Sequence, residues 1–514
     1  MRLIVHAATV ALLPALALAQ GDFNLDKSTA GTLGTNLVLR ITAAPANSAV
    51  VLMPSVTGGP TPISAFDPND PRVLAIGTEL SGNWQVLFSD GAGAAQYSLP
   101  LPNDPALASL LLNWQSAVPG TVSLVGPISN PIRTQTSLAG DSVLAPAALA
   151  TPRSIASAFP DPNENAGAGD VLLAGGGSGT LTGGLGLQTT EFWDFRTMTT
   201  RPGPAMSAAR ALATFARLPD GRVLITGGTD GAGAATATCD LYNPATNTFT
   251  ATGSMLSPRV LHAAVTLADG RVMVAGGTSS VVDQTSTISN VLSSVEFWNP
   301  NTGAWTSGPA LGGRRLAPAL TRLPDNRVMT SGGVQVGFLF GLPISAVSTT
   351  ATQLWNPATN SWSAGPAMRA GRAGHHFNQV ALADGRVLFS GGIFVPDLLN
   401  AANAAATANA EYYTPATNTF TSANMATART LHTATRMPNG EVLVCGGAQG
   451  TLSATVSIDG VEKFDPATNT WTTLPPLQVA RSAHAAALLP DGTLVLLGGQ
   501  GVGTTEASVE TVRL

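Results

Sequence analysis

The sequence predicts an all-β protein in which a seven-bladed β-propeller follows a small β-sandwich-like domain. Three observations lead to this prediction. A segment ending in Gly-Gly recurs about every fifty residues, each copy divides into four short apolar runs, and turn-forming residues separate those runs. The composition agrees, because 55 Gly and 36 Pro in 514 residues suit many short strands joined by tight turns.

The most regular element of the repeat is an apolar run that follows an Asp-Gly or Asn-Gly turn and ends in Gly-Gly. A two-residue turn of this kind joins the strands of a tight hairpin, because its residues tolerate positive φ angles. The copies are LPDGRVLITGG (218–228), LADGRVMVAGG (267–277), LPDNRVMTSGG (323–333), LADGRVLFSGG (382–392), MPNGEVLVCGG (437–447), LPDGTLVLLGG (489–499) and a shorter first copy, GDVLLAGG, which ends at Gly176. These seven copies predict seven blades.

Two further elements recur in each repeat: an arginine before the Gly-Gly run and an acidic residue after it. The arginines are Arg153, Arg210, Arg259, Arg315, Arg372, Arg429 and Arg481. The acidic residues are Glu191, Asp240, Glu296, Glu411, Glu462 and Glu510, with Gln353 in the fourth repeat. We expect strand a to start at the arginine, strand b to end in Gly-Gly, strand c to carry the acid and strand d to begin at a later Trp or Phe. Buried charges are normally paired, so internal Arg–acid pairs are expected rather than a cationic ring for an anionic ligand.

These residues resemble the kelch repeat, with its Arg-x-x-His element, its double glycine, its Glu-x-Tyr/Trp element and its distal Trp. The Leu-Pro-Asp-Gly-Arg-Val sequence is most similar to that of the kelch propeller of galactose oxidase. The resemblance covers residues 141–514. It implies a propeller fold and says much less about function.

The ends of the repeat region predict how the ring closes. The last segment, SVETVRL, aligns with strand c of the other repeats and has no strand d after it. Residues VLAPAALATPR (143–153) align with WTTLPPLQVAR (471–481), which places Val143 at the Trp position of strand d. We therefore expect residues 142–147 to supply the fourth strand of blade seven, so that no sheet edge is left open.

The chain before the repeats divides into two segments. Residues 1–19 carry one arginine, an apolar run and Ala17-Leu18-Ala19, which predicts a secretory signal cleaved after Ala19 and a secreted or periplasmic protein. Residues 20–140 show about eight apolar or alternating runs separated by Gly, Pro, Asn and Asp, which predicts a β-sandwich-like accessory domain.

The composition limits the partners. Only 11% of residues are charged and the net charge is −5, so there is no basic surface for nucleic acid. After the signal segment no run is long and apolar enough to span a bilayer, and we expect a monomer. The two cysteines, Cys239 and Cys445, fall in blades two and six and are not expected to form a disulfide.

One face of the predicted propeller carries variable loops. The loops between strands b and c differ widely from repeat to repeat, and variable loops on a rigid scaffold usually carry specificity. Phe338 and Phe340 in the fourth loop and Phe394 in the fifth could form an apolar patch for a partner. The alternative is that these loops bury each other or cover the central channel.

The Arg-x-x-His element places histidines near the axis on the same face. His262, His375, His432 and His484 hold equivalent positions, whereas His376 is an extra histidine that the repeat does not explain. Convergence on a metal, contact with a ligand and a structural hydrogen-bonded role are all open, and the structural role is favoured. Arg372 lies two residues further from its Leu-Ala-Asp-Gly turn than its counterparts, so a bulge that includes His376 is expected.

The resemblance to galactose oxidase can be tested by residues. That family takes copper ligands from an Arg-x-Tyr-His element, and here Leu261, Gly374, Leu431 and Ala483 replace the tyrosine. No catalytic residue, metal or cofactor is therefore assigned. The interpretation is an exported, non-catalytic binding protein that engages protein or glycan through the b–c loops. The alternative is a carbohydrate-active enzyme, similar to galactose oxidase or a sugar epimerase, with its site on the same face near the axis.

Overall fold

The computed structural model describes residues 23–62, 72–76, 80–119, 125–160, 170–178, 185–375, 378–397, 399, 403–452 and 454–514. The expected signal segment and His376 lie outside these residues. Contacts divide the chain into two units. The first comprises Met1–Ser28, Leu37–Leu99 and Leu111–Thr134, and the second comprises Thr29–Asn36, Pro100–Leu110 and Gln135–Leu514. Within the described ranges, no helix is long and apolar enough to cross a membrane.

The first unit is built from antiparallel sheets. A three-stranded sheet has the order Asn24–Lys27, Asn36–Thr42, Ala95–Pro100. A five-stranded sheet has the order Ile132–Gln135, Leu111–Pro119, Ala49–Ser55, Gln85–Phe88, with Val125–Ile128 also paired to Leu111–Pro119. Gly58–Pro62 and Val73–Ile76 form a separate pair. Alternate residues Leu37, Leu39 and Ile41 are buried, the period-two pattern of a strand with one covered face. A short 3₁₀ helix lies at Ser81–Asn83, and another, Pro105–Leu107, belongs to the second unit.

The second unit contains seven four-stranded antiparallel sheets, one for each sequence repeat, and we number them 1 to 7. In strand order a to d they are, for sheet 1, Ser157–Pro160, Val171–Ala174, Thr190–Asp194, Thr199–Pro202; for sheet 2, Thr214–Arg217, Val223–Thr226, Cys239–Asn243, Thr248–Thr252; for sheet 3, Ala263–Thr266, Val272–Ala275, Val295–Trp298, Trp305–Ser307; for sheet 4, Ala319–Arg322, Val328–Ser331, Thr352–Asn356, Ser361–Ala364; for sheet 5, Gln379–Ala381, Val387–Ser390, Ala410–Thr414, Thr419–Ser422; for sheet 6, Thr433–Arg436, Val442–Cys445, Val461–Asp465, Thr470–Leu474; and for sheet 7, Ala485–Leu488, Leu494–Leu497, Val509–Val512, Ser142–Leu144.

Strand b lies at the centre of each sheet and is buried on both faces. All four of its residues are buried in every sheet, for example Val272–Ala275 and Leu494–Leu497. The apolar runs before Gly-Gly are therefore core strands, and the side chains of neighbouring sheets pack against each other between them, as Leu224 packs with Val272 and Trp298. The sequence prediction of an all-β chain is confirmed.

The innermost strands bring the sheets together around a common axis. Strand a of sheet 3 contacts strand a of sheets 2 and 4, and strand a of sheet 6 contacts strand a of sheets 5 and 7. Strand a of sheet 1 contacts strand a of sheet 7, which brings the first and last repeats together. Cys239 and Cys445 are buried free thiols in sheets 2 and 6.

The seam between the ends of the repeat region is a strand pair. Ser142–Leu144 lies antiparallel to Val509–Val512, with Val143 opposite Thr511. The amide of Ala145 also donates to the carbonyl of Val509 at 2.8 Å. Sheet 7 thus takes three strands from the end of the chain and one from residues before sheet 1.

The prediction that strand a starts at the repeat arginine is wrong. In six sheets strand a begins four residues after the arginine, as with Arg210 and Thr214, and in sheet 5 it begins at Gln379, seven residues after Arg372. The cause is a left-handed residue two positions after the arginine, which turns the chain before the strand. These residues are Ile155, Leu212, Leu261, Ala317, Gly374, Leu431 and Ala483, with φ between 48° and 70°.

Candidate functional site

The repeat arginines are buried and hold the turn between strands b and c. In all seven repeats Nη1 donates to the carbonyl of the first glycine of Gly-Gly, at 2.8–3.3 Å. Six arginines also pair with the acid of strand c: Arg153–Glu191 at 3.7 Å, Arg210–Asp240 at 2.7 Å, Arg259–Glu296 at 2.6 Å, Arg372–Glu411 at 2.7 Å, Arg429–Glu462 at 2.7 Å and Arg481–Glu510 at 3.0 Å. The expected internal pairing is confirmed, and these charges are used within the repeats.

The fourth repeat lacks this ion pair. Arg315 is buried and donates to the carbonyls of Gly332 and Ala351, at 3.0 and 2.7 Å, and no carboxylate in the described part of the chain lies within ion-pair distance. Burial lowers the pKa of Arg315 to about 10. Gln353 stands where the acid would be, and its Oε1 accepts a hydrogen bond from the amide of Gly312 at 3.1 Å.

The repeat histidines contact hydroxyl groups of the preceding repeat. Nε2 of His262 lies 2.8 Å from Thr214 Oγ1 and 2.9 Å from Thr226 Oγ1. The corresponding contacts of the other three are His375 with Ser331 Oγ at 3.1 Å, His432 with Ser390 Oγ at 3.0 Å and His484 with Thr433 Oγ1 at 2.9 Å. Each histidine therefore joins two neighbouring sheets by a buried hydrogen bond.

Burial keeps two of these imidazoles, His432 and His484, neutral. It lowers the pKa of His484 to about 3, with Arg481 adding to the effect, and it holds the pKa of His432 well below its usual value. In the described residues no three His, Cys, Asp or Glu side chains lie close enough together to hold a metal ion. His376, the histidine that the repeat does not explain, is outside those residues.

A cavity of about 270 Å³ lies along the axis, between the first halves of the a strands. His432 and His484 line it, together with Thr433, Thr435 and Gln379. The rest of the wall is largely alanine from repeats 1, 2, 3, 6 and 7. The cavity therefore offers neutral imidazoles and hydroxyls but no charged group.

The b–c loops of repeats 3, 4 and 5 form a shared structure of their own. The third loop carries a helix, Gln284–Ser289, capped by Asp283. The fourth forms a hairpin of Val334–Leu339 and Leu342–Ser348, and the first of these strands also pairs with Arg314–Leu316, which precedes strand a of sheet 4. Their buried side chains make one apolar cluster, comprising Ile288, Val291, Leu316, Ala317, Val334, Val336, Ala346, Ala373, Val395 and Ala404. The loops therefore bury each other at the base, as the alternative interpretation expected.

Two further small sheets complete this surface. Gly177–Ser178 pairs with Leu185–Gly186 in the first loop. A four-stranded sheet combines the fifth and sixth loops, in the order Ile393–Phe394, Ala405–Ala406, Ala448–Thr451, Ala454–Ser457. A shallow cleft beside it is lined by Phe394, Arg369 and Asn409.

The tip of the fourth loop is apolar and exposed. Phe340 is 95% exposed, Leu342 69% and Ile344 57%. Phe338, by contrast, packs against the shared cluster and lies under the guanidinium of Arg314, 4.4 Å from the ring centroid. Phe394 is 47% exposed. The structure thus separates the three predicted phenylalanines into one partly buried ring, Phe338, and two exposed rings.

The turn that carries Phe340 is strained. Phe340 and Gly341 join the two strands of the hairpin, with φ of 50° and 81°. Two positive φ angles define the type I′ turn, whose first position normally holds Asn, Asp or Gly. A bulky residue in this conformation costs on the order of 1–3 kcal/mol, which the surrounding structure must offset.

Sequence reasoning missed Leu342 and Ile344. Both lie on the second strand of the hairpin, on the side that follows the Phe-Gly turn. The available signal was the alternation of apolar residues after Gly341, which indicates a strand with apolar residues on an exposed face.

The described residues do not fit the copper site that the resemblance to galactose oxidase implies. The histidine Nε2 atoms contact Ser and Thr hydroxyls, and the positions before them carry no phenol. Tyr242, Tyr412 and Tyr413 lie on strand c of sheets 2 and 5, where Tyr242 and Tyr413 are buried.

Known proteins resemble the chain in sequence and in fold. The family model described as Kelch motif matches residues 259–312 and 429–478. No curated protein matches the chain. The fold is similar to a solved structure described as a novel fungal alcohol oxidase with catalytic diversity among the AA5 family, in complex with copper. That match has a TM-score of 0.53 and 18% identity, and it covers 72% of this chain and 75% of the oxidase.

A second solved structure, YjhT, matches with 15% identity and a TM-score of 0.44, over 59% of this chain and 95% of YjhT. At 18% identity, the similarity to the oxidase concerns the fold alone. The seven repeats, the Kelch motif matches and the oxidase-like fold together support a β-propeller fold built from kelch repeats.

Proposed function

We propose that the protein is an exported, non-catalytic binding protein whose b–c loop surface binds a partner protein through the hairpin of repeat 4. The observation that carries the proposal is the exposed, strained tip at Phe340. An aromatic ring held in water on a turn that disfavours it has no role in folding the sheets. Strain at so exposed a position supports presentation of the ring to a partner. Export rests on the signal-like segment at residues 1–19.

The chemistry of the hairpin favours a protein over a glycan. Residues 334–348 read VQVGFLFGLPISAVS and contain no charged side chain and only three polar ones. Glycans are bound through many directional hydrogen bonds, and the exposed side chains Leu339, Phe340, Leu342 and Ile344 offer none. A buried apolar anchor that fills a pocket is typical of protein interfaces.

The hairpin is also held in place before binding. Val334, Val336 and Ala346 are buried in the cluster that the third and fifth loops share. The amide of Ser348 donates to the carbonyl of Val395 at 2.8 Å, and Ser348 Oγ accepts from the amide of Val395 at 3.0 Å. A preformed loop loses little conformational entropy on binding, which favours affinity. Kelch propellers generally mediate protein interactions, in keeping with this role.

The experiment starts with a photo-reactive phenylalanine analogue at position 340, introduced into the protein in its producing cells. The covalent adduct identifies the partner, which is then purified for titration. We expect Phe340→Ser to weaken binding by about 30-fold or more, the loss that follows removal of an aromatic hot-spot residue. Val502→Ser is the matched control, because Val502 is 74% exposed in the seventh b–c loop. Equal affinities for the two variants, or glycan binding that Phe340→Ser leaves intact, would contradict the proposal.

A further inference from the structure

The five-stranded sheet of the first unit ends on an open edge. Gln85–Phe88 is the last strand of the sheet, and among the described residues it pairs with Ala49–Ser55 alone. An edge strand presents a row of free N–H and C=O groups, which is a template for another strand.

Hydrogen bonds on either side show which backbone groups are free. The amide of Ser89 donates to the carbonyl of Ser48 at 2.9 Å, so Ser89 and every second residue before it face Ala49–Ser55. A bond at the far side of the sheet gives the same result. The amide of Ser129 donates to the carbonyl of Ser116 at 2.8 Å, and carrying the alternation from there across the paired strands again directs Leu87 and Gln85 toward Ala49–Ser55. Leu87 and Gln85 therefore bond within the sheet, and the N–H and C=O groups of Val86 and Phe88 point away from it.

The edge carries none of the features that normally protect such strands. Natural edges are protected by charged side chains, prolines or bulges, and Gln85–Phe88 has no charge, no proline and a regular register. Its two exposed side chains are apolar, since Val86 is 60% exposed and Phe88 74%. Both lie on the face that Val51 shares, opposite the buried Val50 and Leu52.

We propose that this edge pairs with the same edge of a second copy of the chain, as an antiparallel strand pair centred on Leu87. In this register Val86 of each copy lies opposite Phe88 of the other copy. All four free N–H and C=O groups of each strand are then bonded, and the four exposed side chains meet on one face.

Self-pairing fits this strand better than the neighbouring registers do. A register centred on Phe88 places Val86 opposite Asp90 of the second copy. The backbone of Asp90 is already used, because its amide donates to Ala94 and its carbonyl accepts from Asn47. The register centred on Leu87 needs only groups that are free in the single chain, and it places no two charges opposite each other.

The association is weak and depends on concentration. Two short strands and four apolar side chains bury far less than the roughly 1,200 Å² of a stable interface. We therefore expect sedimentation of the full chain to shift from monomer toward dimer between about 10 µM and 1 mM.

The first test is sedimentation of the wild-type chain against Val86→Pro. Proline at position 86 removes an N–H that points away from the sheet, so the bonds to Ala49–Ser55 are kept and the fold is unaffected. We expect the dimer to be lost in Val86→Pro and kept in Val502→Ser, which removes another exposed apolar side chain elsewhere. Wild type that stays monomeric up to 1 mM, or a dimer that Val86→Pro leaves intact, overturns the proposal.

The second test is the register. In the proposed pair the two Leu87 Cα atoms lie about 4.5 Å apart, within the range of a disulfide. Leu87→Cys should therefore form a covalent dimer on mild oxidation. In Gln85→Cys the two cysteines lie about 13 Å apart, so that variant should not. Cys239 and Cys445 are buried and do not compete. Equal cross-linking of the two variants, or none in Leu87→Cys, rules the pairing out.

Discussion

The buried arginine of each repeat depends on one carboxylate for its ion pair. In six repeats the acid of strand c makes two contacts. It pairs with the arginine, and it accepts a hydrogen bond from the backbone amide three residues before that arginine, as Glu411 does from Arg369. In the fourth repeat Gln353 keeps the second contact, with Gly312, and loses the first. Arg315 is left as a buried cation held by carbonyls alone.

Gln353→Glu should therefore stabilise the protein. The new carboxylate keeps the bond to Gly312 and adds an ion pair to Arg315, with a gain of about 1.5–3 kcal/mol, the range for a hydrogen bond to a charged group. Thermal unfolding should show a higher midpoint. Glu296→Gln, the reverse change in repeat 3, should lower it. An unchanged or lower midpoint for Gln353→Glu would show that Arg315 needs no carboxylate.

The buried histidines predict acid sensitivity. The pKa of His484 is about 3 in the folded chain and its ordinary value is 6.5, so the unfolded chain binds a proton that the folded chain does not. The free energy of unfolding is therefore unaffected by this histidine above pH 6.5. It decreases as the pH falls toward 3, by about 1.4 kcal/mol per pH unit for each such histidine. His484→Gln should reduce the slope of the unfolding free energy against pH between 6.5 and 3 by about 1.4 kcal/mol per pH unit, which corresponds to one bound proton. Denaturant titrations at several pH values measure this slope. An unaltered slope would mean that His484 is charged in the folded protein.

At the scale of elements, the sequence predicted the strands better than the segments that start them. The runs before Gly-Gly are buried on both faces, so hydrophobicity alone marks strand b. The start of strand a was misplaced, because a left-handed residue such as Leu212 or Leu261 follows the arginine, and only Gly374 shows this in its residue type. The other six positions carry ordinary residues whose positive φ is imposed by neighbouring sheets, as when the amide of Ala483 donates to the carbonyl of Leu431.

The seam strand gives a prediction at this scale. The amide of Ala145 bonds to Val509, so the amide of Val143 also faces Val509–Val512, whereas that of Leu144 points away from the sheet. Val143→Pro should lower the unfolding midpoint by several degrees and expose the seam to protease. Leu144→Pro should change neither. Equal effects of the two prolines would show that the pairing of Ser142–Leu144 contributes nothing to the stability of sheet 7.

At the scale of the whole propeller, the repeated sequence predicted the features that all seven repeats share. It did not predict the b–c loops that distinguish one repeat from another. Ion pairs, histidine contacts and core strands recur, so seven copies reinforce one interpretation. The b–c loops occur once each, and their packing depends on contacts between loops far apart in sequence, such as Ile288 with Val336 and Val395. The exposure of Phe340 and the partial burial of Phe338, two residues apart, could not be predicted from their residue types.

The apolar hairpin of repeat 4 is the feature that turns this scaffold into a binding protein in our account. The most direct test is the affinity of the purified chain for the partner cross-linked at position 340, measured for Phe340→Ser and Val502→Ser side by side. We expect a loss of affinity of about 30-fold or more for Phe340→Ser and no change for Val502→Ser. Equal affinities for the two variants would contradict it.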